Sequence, residues 1–100
     1  MRSVRVLDAA VEDIEQARDF YDGIEFGVGD YFSDSLIADL ERLSLFHGIH
    51  SWHFGFHRML AGHFPFGIYY RDQEDVTEIF AVLDLRRDPA WLRAELLKRN

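Results

Sequence analysis

The sequence contains no cysteine, which excludes a disulfide framework, a thiolate nucleophile and a zinc site with cysteine ligands. It has only two prolines, no low-complexity tract and no long charge run, so no segment is typical of disorder. No apolar stretch approaches the roughly 20 residues of a membrane span, and the start lacks the apolar core of a secretory signal. These absences predict a single domain over residues 1–100, located in the cytoplasm and not bound to a membrane.

Acidic residues dominate the first half of the chain. Residues 1–46 contain four arginines and eleven aspartates and glutamates, whereas residues 47–100 contain seven basic and seven acidic residues. The net charge of −7 therefore belongs to the N-terminal half. Because nucleic acids are normally bound by basic surfaces, this balance lowers the expectation of DNA or RNA binding. It does not remove it, since a local cluster can outweigh the overall charge.

The pattern of apolar residues predicts an α+β fold that begins with a strand over residues 3–7 and a helix. Asp8 is the predicted N-cap and Gly23 the predicted stop of this helix. A hinge at residues 27–29 leads into a second helix over about residues 30–46. The first helix has an apolar stripe formed by Ala10, Ile14, Ala17 and Tyr21, and an outward face formed by Glu12, Asp13, Glu15 and Asp19.

Three strand-like runs follow, over about residues 53–61, 67–71 and 77–85. The short turns between them predict antiparallel hairpins. Asp88 and Pro89 then have the N-cap and N1 pattern that begins a last helix. The predicted order is β-α-α-β-β-β-α, a helical hairpin packed on an antiparallel sheet that covers the apolar stripes of both helices.

Five histidines fall within 17 positions: His47, His50, His53, His57 and His63. A metal site would need helical spacing or a nearby carboxylate, and the segment is predicted to be loop and strand without an acidic residue. The preferred interpretation is a partly exposed strand face whose histidines titrate near neutrality. Neither a metal nor a cofactor is predicted.

Arginines near the ends of the predicted strands are the better candidates for a binding site. If Arg58, Arg86 and Arg87 converge on one concave edge of the sheet, their guanidinium groups can grip phosphate or carboxylate. The alternative is that Arg86 and Arg87 pair with Asp84 and Asp88 while Trp91 plugs the sheet edge. The residues proposed for binding a target or partner protein are His57, Arg58, Arg86, Arg87, Trp91 and Arg93.

Five motifs carry a resemblance that covers nearly the whole chain. They are Asp13-Ile14-x-x-Ala17-x-x-Phe20-Tyr21, Gly27-x-Gly29-x-x-Phe32, Gly55-x-x-Arg58-x-Leu60, Phe64-Pro65-Phe66-Gly67-Ile68-Tyr69-Tyr70 and Ala81-Val82-Leu83-Asp84-x-x-Arg87-Asp88-Pro89-x-Trp91. In this order and at this length they resemble the RelE/ParE toxin superfamily, particularly its ParE-like or plasmid-stabilisation branch. The resemblance implies a helical hairpin against an antiparallel sheet, and the toxin half of a type II toxin–antitoxin pair.

Within that superfamily, ParE-like proteins inhibit DNA gyrase, RelE-like proteins cut mRNA on the ribosome, and a cognate antitoxin neutralises either kind. Three departures matter here. Asp84 stands where the branch usually has a histidine, Gly67 stands where the cleaving branch usually has an arginine, and the chain is acidic where such toxins are commonly basic. The first two argue against RNA cleavage, because they leave charge developing at the scissile phosphate without a stabilising cation.

The resemblance therefore favours a growth-inhibiting toxin that binds DNA gyrase and a cognate antitoxin, and a homodimer is a further expectation. One alternative is a ribosome-dependent mRNA endoribonuclease, for which Arg58, Tyr70 and Arg87 are the candidate catalytic residues. Another is a family member that has lost its toxicity. The predicted antitoxin contact is the sheet face near Arg58, the strand end at Arg86 and Arg87, and the last helix around Trp91.

Overall fold

A computed structural model describes residues 2–100 of the chain. The fold is α+β, with two helices followed by most of a five-stranded sheet and a C-terminal helix. Its elements in chain order are β1 (Ser3–Val6), α1 (Asp8–Ile24), α2 (Val28–Phe46), β2 (Trp52–His53), β3 (Phe56–Leu60), β4 (Phe66–Gln73), β5 (Val76–Asp84) and α3 (Pro89–Lys98). None of these helices combines the length and the apolar composition needed to cross a bilayer.

The strands are arranged in the order β1-β5-β4-β3-β2. The pairs β3–β4 and β4–β5 are antiparallel, as predicted. The pair β2–β3 is also antiparallel, and β1 lies parallel to β5, with Val6 opposite Ile79. The sheet is therefore mixed. The parallel pair joins the first strand to the last, and the chain between them includes the helical hairpin and β2, β3 and β4, so short-range turn signals could not indicate this pairing.

The predicted strand over residues 53–61 is two strands. Phe54 and Gly55 have φ angles of 54° and 92°, and this left-handed turn separates the short β2 from β3.

The predicted limits of the first helix are also wrong. Leu7, not Asp8, is the N-cap, and the helix continues through Gly23 to Ile24. The last helix begins as predicted, because the Asp88 carboxylate accepts a hydrogen bond from the Ala90 N–H at 2.9 Å.

The sheet has a layer of helices on each face. The hairpin of α1 and α2 covers one face, where Phe32, Leu36 and Leu43 pack with Ile68 and Tyr70 of β4. The helix α3 covers the other face through a second cluster of buried residues, which contains Phe56, Tyr69, Ala81, Leu83 and Leu96. Both faces of β4 and β5 are thus buried, which explains why β4 has a nearly continuous apolar run.

A bulge in β5 lets the strand serve both layers. Tyr69 lies opposite Ala81 and Tyr70 lies opposite Ile79, so Phe80 is an extra residue in β5. The bulge changes which side chains point to which face. Ile79 and Val82 reach the core under the hairpin, while Ala81 reaches the core under α3.

The edge of β5 is free beyond Ile79, where its pairing with β1 ends. Asp13 of α1 accepts a hydrogen bond there from the Val82 N–H at 2.9 Å, and Arg99 donates to the Phe80 carbonyl at 3.1 Å. Two further hydrogen bonds, at 2.5 and 2.9 Å, join the Arg99 guanidinium to both oxygens of Asp13. The expectation that Asp13 faces solvent is therefore wrong, because its side chain is only 10% exposed. This pair ties α1, β5 and α3 together.

We expect Arg99→Ala to lower the free energy of unfolding by about 2–4 kcal/mol, because it leaves the Asp13 carboxylate poorly solvated and without its cation. Chemical denaturation followed by circular dichroism measures the change. Arg93→Ala removes an exposed arginine from the same helix and should cost less than about 0.5 kcal/mol. Equal losses in the two variants would contradict the structural role of the pair.

Candidate functional site

A hollow of about 260 Å³ opens between α1, the free edge of β5 and the start of α3. We call it the edge hollow. Its walls combine aromatic rings, small apolar side chains and charged groups, and they are formed by Asp13, Gln16, Ala17, Phe20, Phe66, Val82, Leu83, Asp84, Arg87 and Trp91. Such a mixture of apolar wall and few polar groups is typical of a binding site.

Arg87 contributes a positive charge to the edge hollow, and no carboxylate of residues 2–100 forms an ion pair with it. Its Cζ lies 3.5 Å from the centroid of the Trp91 ring, so the guanidinium stacks on the indole. Asp88, its predicted acidic partner, instead caps α3. Stacking orients the guanidinium while leaving its N–H groups available to an acceptor from outside.

Arg86 behaves differently from its neighbour. It forms an ion pair with Asp84, with 2.7 Å between Nη2 and the carboxylate, and its Nε donates to the same side chain at 3.0 Å. The Arg86 hydrogen bonds hold the pKa of Asp84 below its ordinary value. The pairing alternative stated for Arg86 is thus confirmed, whereas that for Arg87 is wrong.

The backbone of β5 also offers hydrogen-bonding groups to the edge hollow. The Leu85 N–H donates to the carbonyl of Pro65, the residue just before β4, so the backbone groups of Leu85 point toward β4. Because these groups alternate in direction along a strand, those of Val82 and Asp84 point toward the free edge. Asp13 accepts from the Val82 N–H, whereas the Val82 carbonyl and the Asp84 N–H face the part of this edge that β1 does not cover. An extended peptide could therefore pair with this edge.

Arg58 lies outside the edge hollow. It lines a separate hollow of about 260 Å³, on the other side of α3, with Tyr69, Leu85 and Leu92. Its Nε is buried and has no hydrogen-bond partner among residues 2–100. Burial raises the pKa of the Tyr69 phenol, and the adjacent Arg58 partly offsets that rise.

Gly67 is packed beneath this second hollow. A Cβ atom there would lie 3.0 Å from Leu85 Cδ2, 3.0 Å from Tyr69 Cε2 and 3.2 Å from Arg58 Cδ. A larger side chain at this position would displace all three neighbours. The side chains that surround Gly67 in this chain thus leave little room for the arginine that the cleaving branch usually has at this position.

His57 and Tyr70 lie on the opposite face of the sheet from Arg58. His57 is stacked between Trp52 and Tyr70, with ring centroids 4.0 and 5.0 Å away. Its Nδ1 donates to the His50 carbonyl at 2.7 Å. The Tyr70 hydroxyl accepts from the Gly48 N–H at 2.9 Å and is 2.5 Å from His50 Nδ1. These contacts fasten the loop after α2 to β4.

The predicted convergence of Arg58, Arg86 and Arg87 on one hollow is therefore wrong. Arg87 and Trp91 meet, and Arg86 lies beside them, but α3 stands between this group and Arg58. His57 is on the hairpin face. Arg93 is exposed, and no hydrogen bond within the described chain holds it.

The histidines are also dispersed. Their nearest partners differ: Asp72 for His47, the Tyr70 hydroxyl for His50, Ser51 for His53 and the ring of Tyr31 for His63. Within residues 2–100 no three potential metal ligands come together. Burial and the nearby His57 lower the pKa of His50, and burial and Arg58 lower that of His53.

Sequence reasoning did not place Gln16, Phe20 and Asp13 in the site. The sequence gives one signal for Phe20, its position next to Tyr21 of the apolar stripe. In the structure its side chain is 57% exposed at the rim of the edge hollow. An exposed phenylalanine beside a cation and a free strand edge is a feature of protein-binding surfaces.

Comparison with known proteins supports the fold assignment. No family model matches the sequence, and no curated protein does. A chain from the solved structure named "Chromosomal ParDE TA system from P. aeruginosa" superposes with a TM-score of 0.71 at 16% sequence identity. The similarity covers 82% of this chain and 94% of that chain. At this level of identity it establishes that the two chains share a fold, which confirms the predicted RelE/ParE-like architecture.

The His50 contacts predict how stability depends on pH. The pKa of His50 is lower in the folded protein than in the unfolded chain, so the unfolded chain binds a proton at His50 more readily. The His50 contribution to the free energy of unfolding is therefore complete above the ordinary histidine pKa of about 6.5, and it is lost as the pH falls below that value. His50→Asn keeps an acceptor for the Tyr70 hydroxyl but does not titrate. It should therefore flatten the fall in unfolding free energy between about pH 7 and pH 5.

His63→Asn is the matched control, because His63 is exposed and lies beside the ring of Tyr31. Denaturation curves across the pH range give the comparison. A residual slope in His50→Asn is expected from His53. If both variants retain the full slope, the assigned role of His50 is wrong.

Proposed function

We propose that the chain is the toxin of a type II toxin–antitoxin system, of the ParE kind. It acts as a single cytoplasmic domain that binds and inhibits DNA gyrase, and a cognate antitoxin neutralises it. The observation that carries the proposal is the shared fold with a chain of the ParDE system, over 94% of that chain. The sequence motifs, which resemble the same branch independently of the fold, support it.

The arrangement of the candidate catalytic residues favours binding over RNA cleavage. General acid–base chemistry on one phosphate requires its groups within hydrogen-bond reach of a single site. Arg58 and Tyr70 lie on opposite faces of the sheet, and Arg87 lies across α3 from Arg58. The Tyr70 hydroxyl is also engaged by Gly48 and His50. This dispersal counts against the ribosome-dependent endoribonuclease.

The edge hollow suits the antitoxin better than a small substrate. It combines a stacked arginine that has no ion-pair partner among residues 2–100, an exposed phenylalanine and two backbone groups on the part of the β5 edge that β1 does not cover. An extended segment with an acidic side chain can use all three, through a charge-assisted hydrogen bond, apolar contact and strand pairing. We therefore assign the antitoxin contact to Arg87 and Trp91, with Arg86 at its margin.

Induced expression should arrest growth, and the purified protein at micromolar concentration should inhibit supercoiling by DNA gyrase. Co-expression of the adjacent gene, as the candidate antitoxin, should restore growth. Primer extension on translated mRNA after induction separates the alternatives. Cut transcripts with normal supercoiling would identify the endoribonuclease, and growth without arrest would identify a chain that has lost toxicity.

Arg87→Ala should weaken binding of the antitoxin by about 1–3 kcal/mol, because it leaves the partner's carboxylate without its cation. Isothermal titration calorimetry with the co-expressed partner measures the loss. Lys98→Ala removes an exposed cation at the far end of α3 and should leave the affinity unchanged. An unchanged affinity in Arg87→Ala would remove the edge hollow from the antitoxin contact.

A further inference from the structure

The hollow that Arg58 lines is separate from the edge hollow, and we call it the Arg58 hollow. Its floor is formed by β3 and β4, where Arg58 lies directly opposite Tyr69, and α3 forms its roof. Its inner end is buried, because Tyr69 and Leu96 are only 2% and 1% exposed. Its outer end lies between Phe54 and Pro89, both of which are exposed to solvent. A small molecule that enters from this side is largely enclosed.

The Arg58 side chain brings a positive charge into this hollow without a counter-charge. Its Nε is buried and has no hydrogen-bond partner among residues 2–100. The chain has 18 acidic residues, yet none of them lines the hollow. A buried guanidinium N–H that lacks an acceptor lowers the stability of the fold. An acceptor supplied from outside the chain removes this cost.

The two other ionisable residues of the lining leave an anion as the matching ligand. Burial and the charge of Arg58 lower the pKa of His53, which favours its neutral form. Burial raises the pKa of the Tyr69 phenol, so its hydroxyl remains protonated and can donate a hydrogen bond. Arg58 is thus the one permanent charge of the lining, and a ligand with a single negative charge neutralises it.

The remaining lining residues are apolar, namely Phe54, Leu85, Pro89, Leu92 and Leu96. The volume of about 260 Å³ is slightly below the roughly 300–1,000 Å³ of most ligand pockets. A nucleic-acid strand requires a basic surface for its successive phosphates, and these walls do not offer one. The lining therefore matches a compact apolar body that carries one anionic group.

The rim of the hollow is already held in one conformation. Phe54 has a φ angle of 54°, which is rare for a bulky residue. The Asn100 amide donates to the Phe54 carbonyl at 2.8 Å, and Arg71 Nε donates to the adjacent Gly55 carbonyl at 2.9 Å. Strained backbone that the surrounding structure fixes in this way is concentrated at functional sites. A rim formed in advance also lowers the entropic cost of binding a ligand.

We propose that the Arg58 hollow binds a small monocarboxylate with an apolar body. The carboxylate accepts a hydrogen bond from Arg58 Nε, and the apolar body lies between the sheet and α3, in contact with Tyr69 and Leu92. The inference goes beyond the proposed function and does not rest on it, since the antitoxin contact is assigned to the edge hollow.

The test compares four probes by titration of isotope-labelled protein, followed through its amide chemical shifts. Phenylacetate is the expected ligand, phenylacetamide has the same body without the charge, acetate has the charge without the body, and a dinucleotide represents nucleic acid. Phenylacetate should bind with a Kd below about 1 mM, which the affinity per atom of small ligands allows, and about tenfold more tightly than each of the others. The shifts should move at Arg58, Tyr69 and Leu92.

Arg58→Met keeps the length and the apolar stem of the side chain but removes its charge. It should weaken phenylacetate about tenfold, to the affinity of phenylacetamide. Because the change removes a buried group without a partner, the melting temperature without ligand should be no lower than that of the parent chain. Arg93→Met is the matched control, since Arg93 is exposed on α3 and does not line the hollow, and it should leave the affinity unchanged.

His53 provides a second readout in the parent chain. Bound phenylacetate should raise the pKa of His53, because its carboxylate offsets the charge of Arg58 that now lowers it. Phenylacetamide should leave this pKa unchanged. Titration of the imidazole chemical shifts with and without each probe measures the difference.

Equal affinity for phenylacetate and phenylacetamide, or equal effects of the two methionine variants, would overturn the proposal. So would a dinucleotide that binds as tightly as phenylacetate, because the site would then accept nucleic acid. A melting temperature of Arg58→Met well below that of the parent chain would also contradict it, since Arg58 would then be structural. None of these measurements involves growth arrest, gyrase or the antitoxin. Failed binding with toxicity intact therefore overturns this inference alone, and absent toxicity with phenylacetate binding intact overturns the proposed function alone.

Discussion

The pair between Asp13 and Arg99 holds the three layers of the molecule in register. The strand β5 runs on past the end of β1, so its edge would otherwise present an open row of backbone groups between two helical layers. The Asp13 carboxylate of α1 accepts a hydrogen bond from one N–H of that row, and the Arg99 guanidinium at the end of α3 donates to one carbonyl. They then neutralise each other. Because this arrangement closes only part of the edge, the remainder forms the floor of the edge hollow.

Charge divides the surface into two regions that suit different chemistry. The hairpin of α1 and α2 carries the net negative charge, whereas the edge of the sheet near α3 exposes Arg87, which has no ion-pair partner among residues 2–100. The two surfaces lie on opposite sides of α1, where they share no lining residue. The acidic hairpin differs from the basic charge that is common in the superfamily whose motifs the sequence resembles.

Local patterns were sufficient for the type of most elements and for a helical hairpin packed on a sheet, because helix stripes and short turns determine them. The ParE-like identity of that architecture came from the resemblance of the five motifs. They failed where the partner is distant in sequence. The helical pattern around Asp13 does not distinguish it from the other acidic residues of α1, since its partner is 86 positions away. The bulge at Phe80 has neither glycine nor proline to mark it. The parallel pairing of β1 with β5 likewise has no local signal.

The candidate site was predicted in part. Arg87 and Trp91 were correctly placed together because they are four residues apart around the start of a helix. His57 and Arg58, in contrast, were assigned to one surface although neighbours in a strand point to opposite faces. The alternation of side chains between the two faces of a strand was sufficient to place His57 and Arg58 on different surfaces. The position of α3 between Arg58 and Arg87 depends on tertiary packing, which the sequence pattern does not contain.

The chain has two tryptophans, and each belongs to a different surface. Trp91 lies under the Arg87 guanidinium in the edge hollow, while Trp52 stacks on His57 at the far edge of the sheet and is 63% exposed. The tryptophan emission of the protein is therefore the sum of two spatially separate reporters. Exchanging Trp52 for phenylalanine would leave a single tryptophan in the edge hollow, able to signal its occupancy without any attached dye.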